Sequence, residues 1–124
     1  MYDHVDQRVA DLGRTRPLYD ALMRAMGYTR ISEDADSIGW YEPQSPKRAA
    51  FFSLMRDPQH GPNQTRIAFG APDRDEVNRL AEIARRAGAR NYEAPHECTE
   101  YTPRYYAAFF DDAEGNKLEI CFRD

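Results

Sequence analysis

The sequence predicts an α+β fold, with two tandem βαβββ units forming a curved mixed sheet and helices on the convex face. Three observations predict it. Period-two patterns at residues 2–9 and 65–71 each lead into an amphipathic helix, both helices stop at a glycine, and each half then offers three more strand-like stretches. The expected organisation is a single domain over residues 1–124, with unit 1 at about 1–60 and unit 2 at about 61–124.

In the first unit, residues 2–9 (YDHVDQRV) alternate around Val5 and Val9. The helix that follows carries Tyr19, Leu22, Met23 and Met26 on one stripe, and Pro17 fits its first turn. Strands are expected at 28–33, 37–42 and 48–55. Residues 65–71 (TRIAFGA) open the second unit around Ile67 and Phe69. Asp73 and Glu76 resemble a capping box ahead of a stripe formed by Val77, Leu80, Ala84 and Ala87. Strands at 91–95, 105–111 and 117–123 complete the repeat. Gly27 and Gly88 suit the left-handed position just past a helix C-terminus. The halves also finish alike, on Met55-Arg56-Asp57 and Phe122-Arg123-Asp124. A lone unit would leave strand edges bare; two side by side would bury them and enclose a cleft.

Composition narrows the function classes. Hydrophobic residues at 41% and charged residues at 31% describe a globular chain that can build a core. No apolar run reaches the roughly 18 residues of a membrane span, and Met1-Tyr2-Asp3-His4 lacks the features of a signal peptide, so no membrane partner and a cytoplasmic location are expected. Cys98 and Cys121 read as ordinary thiols. The 17 basic and 21 acidic residues are interspersed, without the basic stripe that nucleic-acid binding requires. A small-molecule ligand is the expected partner.

Strand parity sorts the side chains. Val5 and Val9 should meet the first helix, leaving His4, Asp6 and Arg8 toward the cleft. Ile67 and Phe69 should meet the second helix, leaving Arg66, Ala68 and Gly70 opposite. In 117–123 the helix set is Leu118, Ile120 and Phe122, and the cleft set is Lys117, Glu119, Cys121 and Arg123. Matching the ends of the two halves pairs Phe52 with Glu119 and places Phe52 near the cleft. His4, Arg66 and Glu119 are thus the candidate catalytic residues, because imidazole and carboxylate exchange protons or bind metals near neutral pH. Trp40, Tyr41, Tyr101, Tyr105 and Tyr106 are candidate aromatic walls, with parity allowing only one of Tyr105 and Tyr106 to face inward. Arg8, Arg66 and Arg123 would suit an anionic ligand such as a carboxylate or phosphonate.

This order of elements resembles the glyoxalase/bleomycin-resistance/dioxygenase proteins, the vicinal-oxygen-chelate superfamily. The marks are His4-Val5, Tyr19-Asp20-Ala21-Leu22, Arg66-Ile67-Ala68-Phe69, Arg86-Ala87-Gly88 and Tyr105-Tyr106-Ala107-Ala108-Phe109. Asp112-Ala113-Glu114-Gly115-Asn116 before Leu118-Glu119 is similar to the family's Asp-Pro-Asp-Gly-Asn turn that leads to its last ligand. The resemblance spans essentially the whole chain. It implies a divalent metal chelated by adjacent substrate oxygens, with His4 and Glu119 at matching ligand positions. Arg66 stands where the family usually carries His, and Phe52 where some members carry a carboxylate. A guanidinium has no lone pair to donate, so the metal set is incomplete, and Arg66 is expected to pair with Glu119 instead. His60 and His96 read as solvated loop histidines.

The resemblance further implies a lyase, an isomerase or a dioxygenase-related enzyme acting on a small oxygenated metabolite, with a homodimer completing the cleft. Without a metal, His4 or Glu119 would be the base and Arg66 would stabilise an enolate or carboxylate. The alternative is a non-catalytic drug- or metabolite-binding protein of the bleomycin-resistance kind.

Overall fold

The computed structural model describes residues 2–43 and 49–124. It divides into two compact units, Met1–Gly61 and Pro62–Asp124. Unit 1 runs β1 (His4–Val9), α1 (Leu12–Ala25), β2 (Arg30–Glu33), β3 (Ser37–Tyr41) and β4 (Phe51–Arg56). Unit 2 runs β5 (Arg66–Gly70), α2 (Arg74–Arg86), β6 (Arg90–Glu97), β7 (Tyr106–Asp111) and β8 (Lys117–Phe122). Position 48, expected to begin the fourth strand, lies outside the described residues. The hydrogen-bonded sheets are two, each mixed and four-stranded, in the orders β1-β4-β3-β2 and β5-β8-β7-β6. In each unit the first strand pairs in parallel with the last, and the other pairings are antiparallel. No helix among the described residues is long and apolar enough to cross a membrane.

Each helix covers one face of its own sheet. Leu18, Tyr19, Leu22 and Met23 are buried on α1, which packs on β3 and β4. Val77, Leu80, Ala81 and Ala84 are buried on α2, which packs on β6, β7 and β8. Asp11 caps α1 by accepting from the Arg14 amide at 3.0 Å, and Asp73 caps α2 by accepting from the Glu76 amide at 2.8 Å. Only half of the expected capping box forms, because the Glu76 carboxylate turns to the Arg79 guanidinium. Since α1 begins at Leu12, Pro17 lies inside the helix and not in its first turn. There it removes one backbone donor that would have reached the Gly13 carbonyl.

The C-termini repeat one another. Gly27 at φ +89° lets the Tyr28 amide donate back to the Met23 carbonyl at 2.8 Å, and Gly88 at φ +100° lets the Ala89 amide donate to Ala84 at 3.0 Å. Both are the six-to-one closure of a glycine-capped helix.

The turn joining β7 to β8 is built around a buried charge. The Asp112 carboxylate accepts from the Glu114 amide at 2.8 Å, the Asn116 amide at 3.0 Å and Asn116 Nδ2 at 2.8 Å, while Gly115 takes φ +87°. Asp112→Ala should therefore cost about 3 kcal/mol, since it strands buried donors as well as removing charge-assisted bonds. Urea unfolding of the variant measures this, and a loss under 1 kcal/mol would mean that the turn is held by something else.

Candidate functional site

The face of unit 2 that α2 leaves uncovered is organised in rows, one residue per strand. His96, Ala107, Cys121 and Gly70 form one row; Glu93, Phe109, Glu119 and Ala68 form the next; Arg90, Asp111, Lys117 and Arg66 form the third. Along β5 this face is nearly bare beyond Arg66, because Ala68 and Gly70 carry almost no side chain. A hollow of about 470 Å³ opens there, lined by Ala68, Gly70, Ala71, Tyr105, Cys121 and Arg123. At its edge the Tyr105 hydroxyl donates to Glu119 Oε1, and Glu119 is only 6% exposed. Burial, followed by the neighbouring Cys121 thiol and the Glu119 carboxylate, raises the Tyr105 pKa well above its ordinary value. The phenol therefore keeps its proton and serves as a donor. Tyr101, 54% exposed, sets its ring edge-on to Tyr105 at 5.1 Å.

Arg66 shares this face but does not pair with Glu119. Its guanidinium lies over the Phe109 ring at 4.9 Å, and the two residues make no ion pair among the described residues. Phe109 shares the row of Glu119 one strand further from β5, and its flat ring is the surface on which the guanidinium lies.

Three expected wall residues belong elsewhere. Phe52 lies opposite Val5 and stacks on Tyr19 of α1 at 5.5 Å, so it is a core residue under the helix. The counterpart of Glu119 in unit 1 is Ser53, which lies opposite Asp6 as Glu119 lies opposite Ala68. The likeness of Met55-Arg56-Asp57 to Phe122-Arg123-Asp124 is out of step by one residue, and one residue exchanges the faces of a strand. Trp40, in the same row as Phe52, is fully buried and donates from Nε1 to Asp20 Oδ1 at 3.1 Å. Tyr106 faces α2, where its hydroxyl donates to Asn78 Oδ1 at 2.7 Å beneath the Arg74 guanidinium. Tyr105, one position earlier, takes the inward side.

On the uncovered face of unit 1, His4 stacks on Phe51 at 4.4 Å and Phe51 on Tyr41 at 4.7 Å, with Arg30 over Tyr41 at 5.3 Å. This ladder crosses all four strands of the sheet. His4 Nδ1 lies 2.9 Å from Asp3 Oδ1 and Nε2 lies 3.8 Å from Asp6 Oδ2. In the next row the Ser53 hydroxyl donates to Asp6. Arg8 shares the face of His4 and is exposed, and His60 lies in the loop after β4.

No protein-family model matches the sequence, and no curated protein matches it. Solved structures do. A glyoxalase/bleomycin resistance protein from Albidiferax ferrireducens T118 superposes with TM-score 0.78 at 23% identity, over 100% of this chain and 99% of that one. A glyoxalase-related enzyme from Fulvimarina pelagi gives 0.72 at 14% identity, over 99% and 88%. The fosfomycin resistance protein FosX from Mesorhizobium loti gives 0.68 at 15% identity, over 100% and 92%. The chain has the glyoxalase/bleomycin-resistance/dioxygenase fold. At these identities the likeness establishes the architecture.

The side chains present do not fit the divalent metal that the resemblance implies for a glyoxalase-type cleft. Arg66 cannot ligate, Glu119 already accepts a proton donor, and both ring nitrogens of His4 face carboxylates. Among the described residues no three His, Cys, Asp or Glu side chains form a metal-holding group.

Sequence reasoning placed His96 in a loop, and the structure places it, still exposed, in a strand. The sixth strand extends to Glu97, so His96 is a strand residue on the glyoxalase-fold sheet's uncovered face, 6.2 Å from the Phe109 ring. A count of period two back from Cys98 could have found it. Its Nε2 contacts Glu93 Oε2 at 2.6 Å and its Nδ1 the Glu97 carbonyl at 2.9 Å; these two bonds, Glu93 first, raise its pKa. A raised folded-state pKa means that its contribution to stability is full below the unfolded value and is lost as pH rises through the folded one. In an NMR titration, Glu93→Gln should lower the His96 midpoint. An unchanged midpoint would show that Glu93 is not the cause.

Proposed function

We propose that this protein is a metal-independent lyase- or isomerase-type enzyme of the glyoxalase fold, acting by proton transfer on a small, oxygenated, anionic metabolite in the unit 2 hollow. One observation carries the reading: Tyr105, in the wall of a hollow large enough for a small organic molecule, donates its hydroxyl to the buried Glu119. Glu119 is the base, Tyr105 relays or returns the proton, and Arg123 holds the ligand's negative charge at the wall. Charge developing on an oxygen is met by guanidinium instead of a Lewis acid. Its fold neighbours, named as glyoxalase-related, fosfomycin resistance and bleomycin resistance proteins, support a small-molecule role. A homodimer and a cytoplasmic location belong to the same proposal.

A second reading, a non-catalytic protein that sequesters a drug or metabolite, is favoured by the placement of Arg66. Stacked on Phe109, it presents a flat cationic surface on the same face without engaging Glu119.

A thermal-shift screen of small carboxylates and phosphonates separates the two. A Cβ at Gly70 meets nothing within 4 Å, so Gly70→Val fills the hollow without backbone conflict and should abolish binding. Glu119→Gln should keep binding but turn over at least about 100-fold more slowly. Ligand recovered unchanged from the wild-type protein selects the sequestering role. Activity that disappears with a chelator would reject the metal-independent reading.

A further inference from the structure

His96 stands where the sixth strand gives way to the segment that carries Tyr105. β6 is an outer strand whose pairing with β7 slips twice, between Arg90 and Glu93 and again between Glu93 and His96. The His96 ring spans the second slip: Nε2 lies 2.6 Å from Glu93 Oε2, and Nδ1 lies 2.9 Å from the Glu97 carbonyl. The carboxylate and the carbonyl both accept, so both ring nitrogens have to donate, and only the imidazolium has two N–H groups. A neutral ring would set a nitrogen lone pair against one of the two oxygens. Glu97 leads directly into residues 98–105, which fold back on themselves. The Cys98 amide donates to the Tyr105 carbonyl at 2.7 Å, Tyr101 to Cys98 at 3.1 Å and Tyr105 to Thr102 at 3.2 Å. Inside this closed segment Thr102 Oγ1 is buried and meets no hydrogen-bond partner among the described residues. Closure therefore carries the cost of an unmet hydroxyl, which opening to water would relieve.

We propose that protonated His96 is a clasp that keeps residues 98–105 closed beside the hollow, and that rising pH releases it. On β6 its ring is faced by the Glu93 carboxylate and by the buried Cys98 thiol, 3.7 Å from Nδ1. Glu100 acts on it from the closed segment. β7 offers Ala107 and the Phe109 ring, neither titratable, and Arg66 of β5 lies across that ring. α2 lies on the other face, where Arg74 pairs with the Glu97 carboxylate and leaves the Glu97 carbonyl to His96. Glu93 first and then the Glu97 carbonyl hold the His96 pKa above the ordinary imidazole value. The clasp is thus complete below that value and is lost as pH rises through the raised one. Loss of the proton leaves one N–H for two acceptors, and the tie across the slip opens at one end. Tyr101 and Tyr105 ride on the segment, so release loosens the wall of the hollow and the hold of the Tyr105 hydroxyl on Glu119. The bearing of this on a ligand rests on the reading of the hollow as a ligand site.

Backbone hydrogen exchange against pH tests the clasp, read at the Cys98 amide and corrected for the intrinsic pH dependence of exchange. Protection should fall about fivefold, the scale of one solvent-exposed ion pair, at the midpoint where His96 itself titrates by NMR. Protection at Leu80 in α2 should show no such step. Glu93→Gln should move both midpoints down together, and His96→Gln should remove the step at Cys98. A Cys98 profile that stays flat while His96 titrates, or a step that persists in His96→Gln, would overturn the clasp. Propionate, followed by amide shifts at Ala68 and Gly70, tests the consequence for a ligand. Its Kd should rise across the same step, and that rise should vanish in His96→Gln. Propionate bound with a Kd indifferent to the step overturns this consequence. Propionate that binds at no pH overturns the ligand reading, while the Cys98 step, measured without ligand, decides the clasp by itself.

Discussion

The buried Asp112 carboxylate fixes the hairpin between β7 and β8 through three hydrogen bonds, and the contents of the hollow follow from the register it sets. With the turn closed, Phe109 lies opposite Glu119 and Ala107 opposite Cys121. The parallel pairing then brings Ala68 and Gly70 alongside from β5. A slip of one residue would carry Glu119 beneath α2 and turn Leu118 and Ile120 to water. Each of those apolar side chains is worth roughly 1.5–3 kcal/mol in burial, and a carboxylate under the helix would lose its solvation without a partner. The core therefore enforces the site's geometry although it contributes no chemistry to it.

The two units show how a repeated architecture can diverge on one face only. Their caps, parallel pairings and helix packing correspond closely, because the same burial has to be achieved twice. The uncovered faces have no such obligation. Unit 1 fills its face with a ladder of Arg30, Tyr41, Phe51 and His4, whereas unit 2 empties its own along Ala68 and Gly70 and leaves a hollow. Small side chains on one edge strand are thus as informative as the charged ones beside them.

Arg66 is defined by what it cannot do. It has no lone pair for a metal, and its guanidinium rests on Phe109 in place of neutralising Glu119. Glu119 is left to the Tyr105 hydroxyl, which donates to it.

Period-two and period-3.6 patterns, the glycine stops and the Asp112–Asn116 turn determined the element order, and parity alone put Arg66, Ala68, Gly70, Glu119, Cys121 and Arg123 on one face. Those signals are local, arising from backbone periodicity and from burial of one side of each element. Phe52 and Trp40 were misplaced, and the choice between Tyr105 and Tyr106 stayed open, because these faces depend on register with other strands, and a repeat with loops of unequal length does not preserve register. The length of the sixth strand, which brings His96 onto the face, likewise depends on bulged pairing with β7. Only tertiary structure could decide that Arg66 rests on an aromatic ring, that Glu119 accepts a hydrogen bond from Tyr105, and that a hollow lies beside bare strand positions. Each of these is a contact between residues far apart in the chain, settled by packing and not by local propensity.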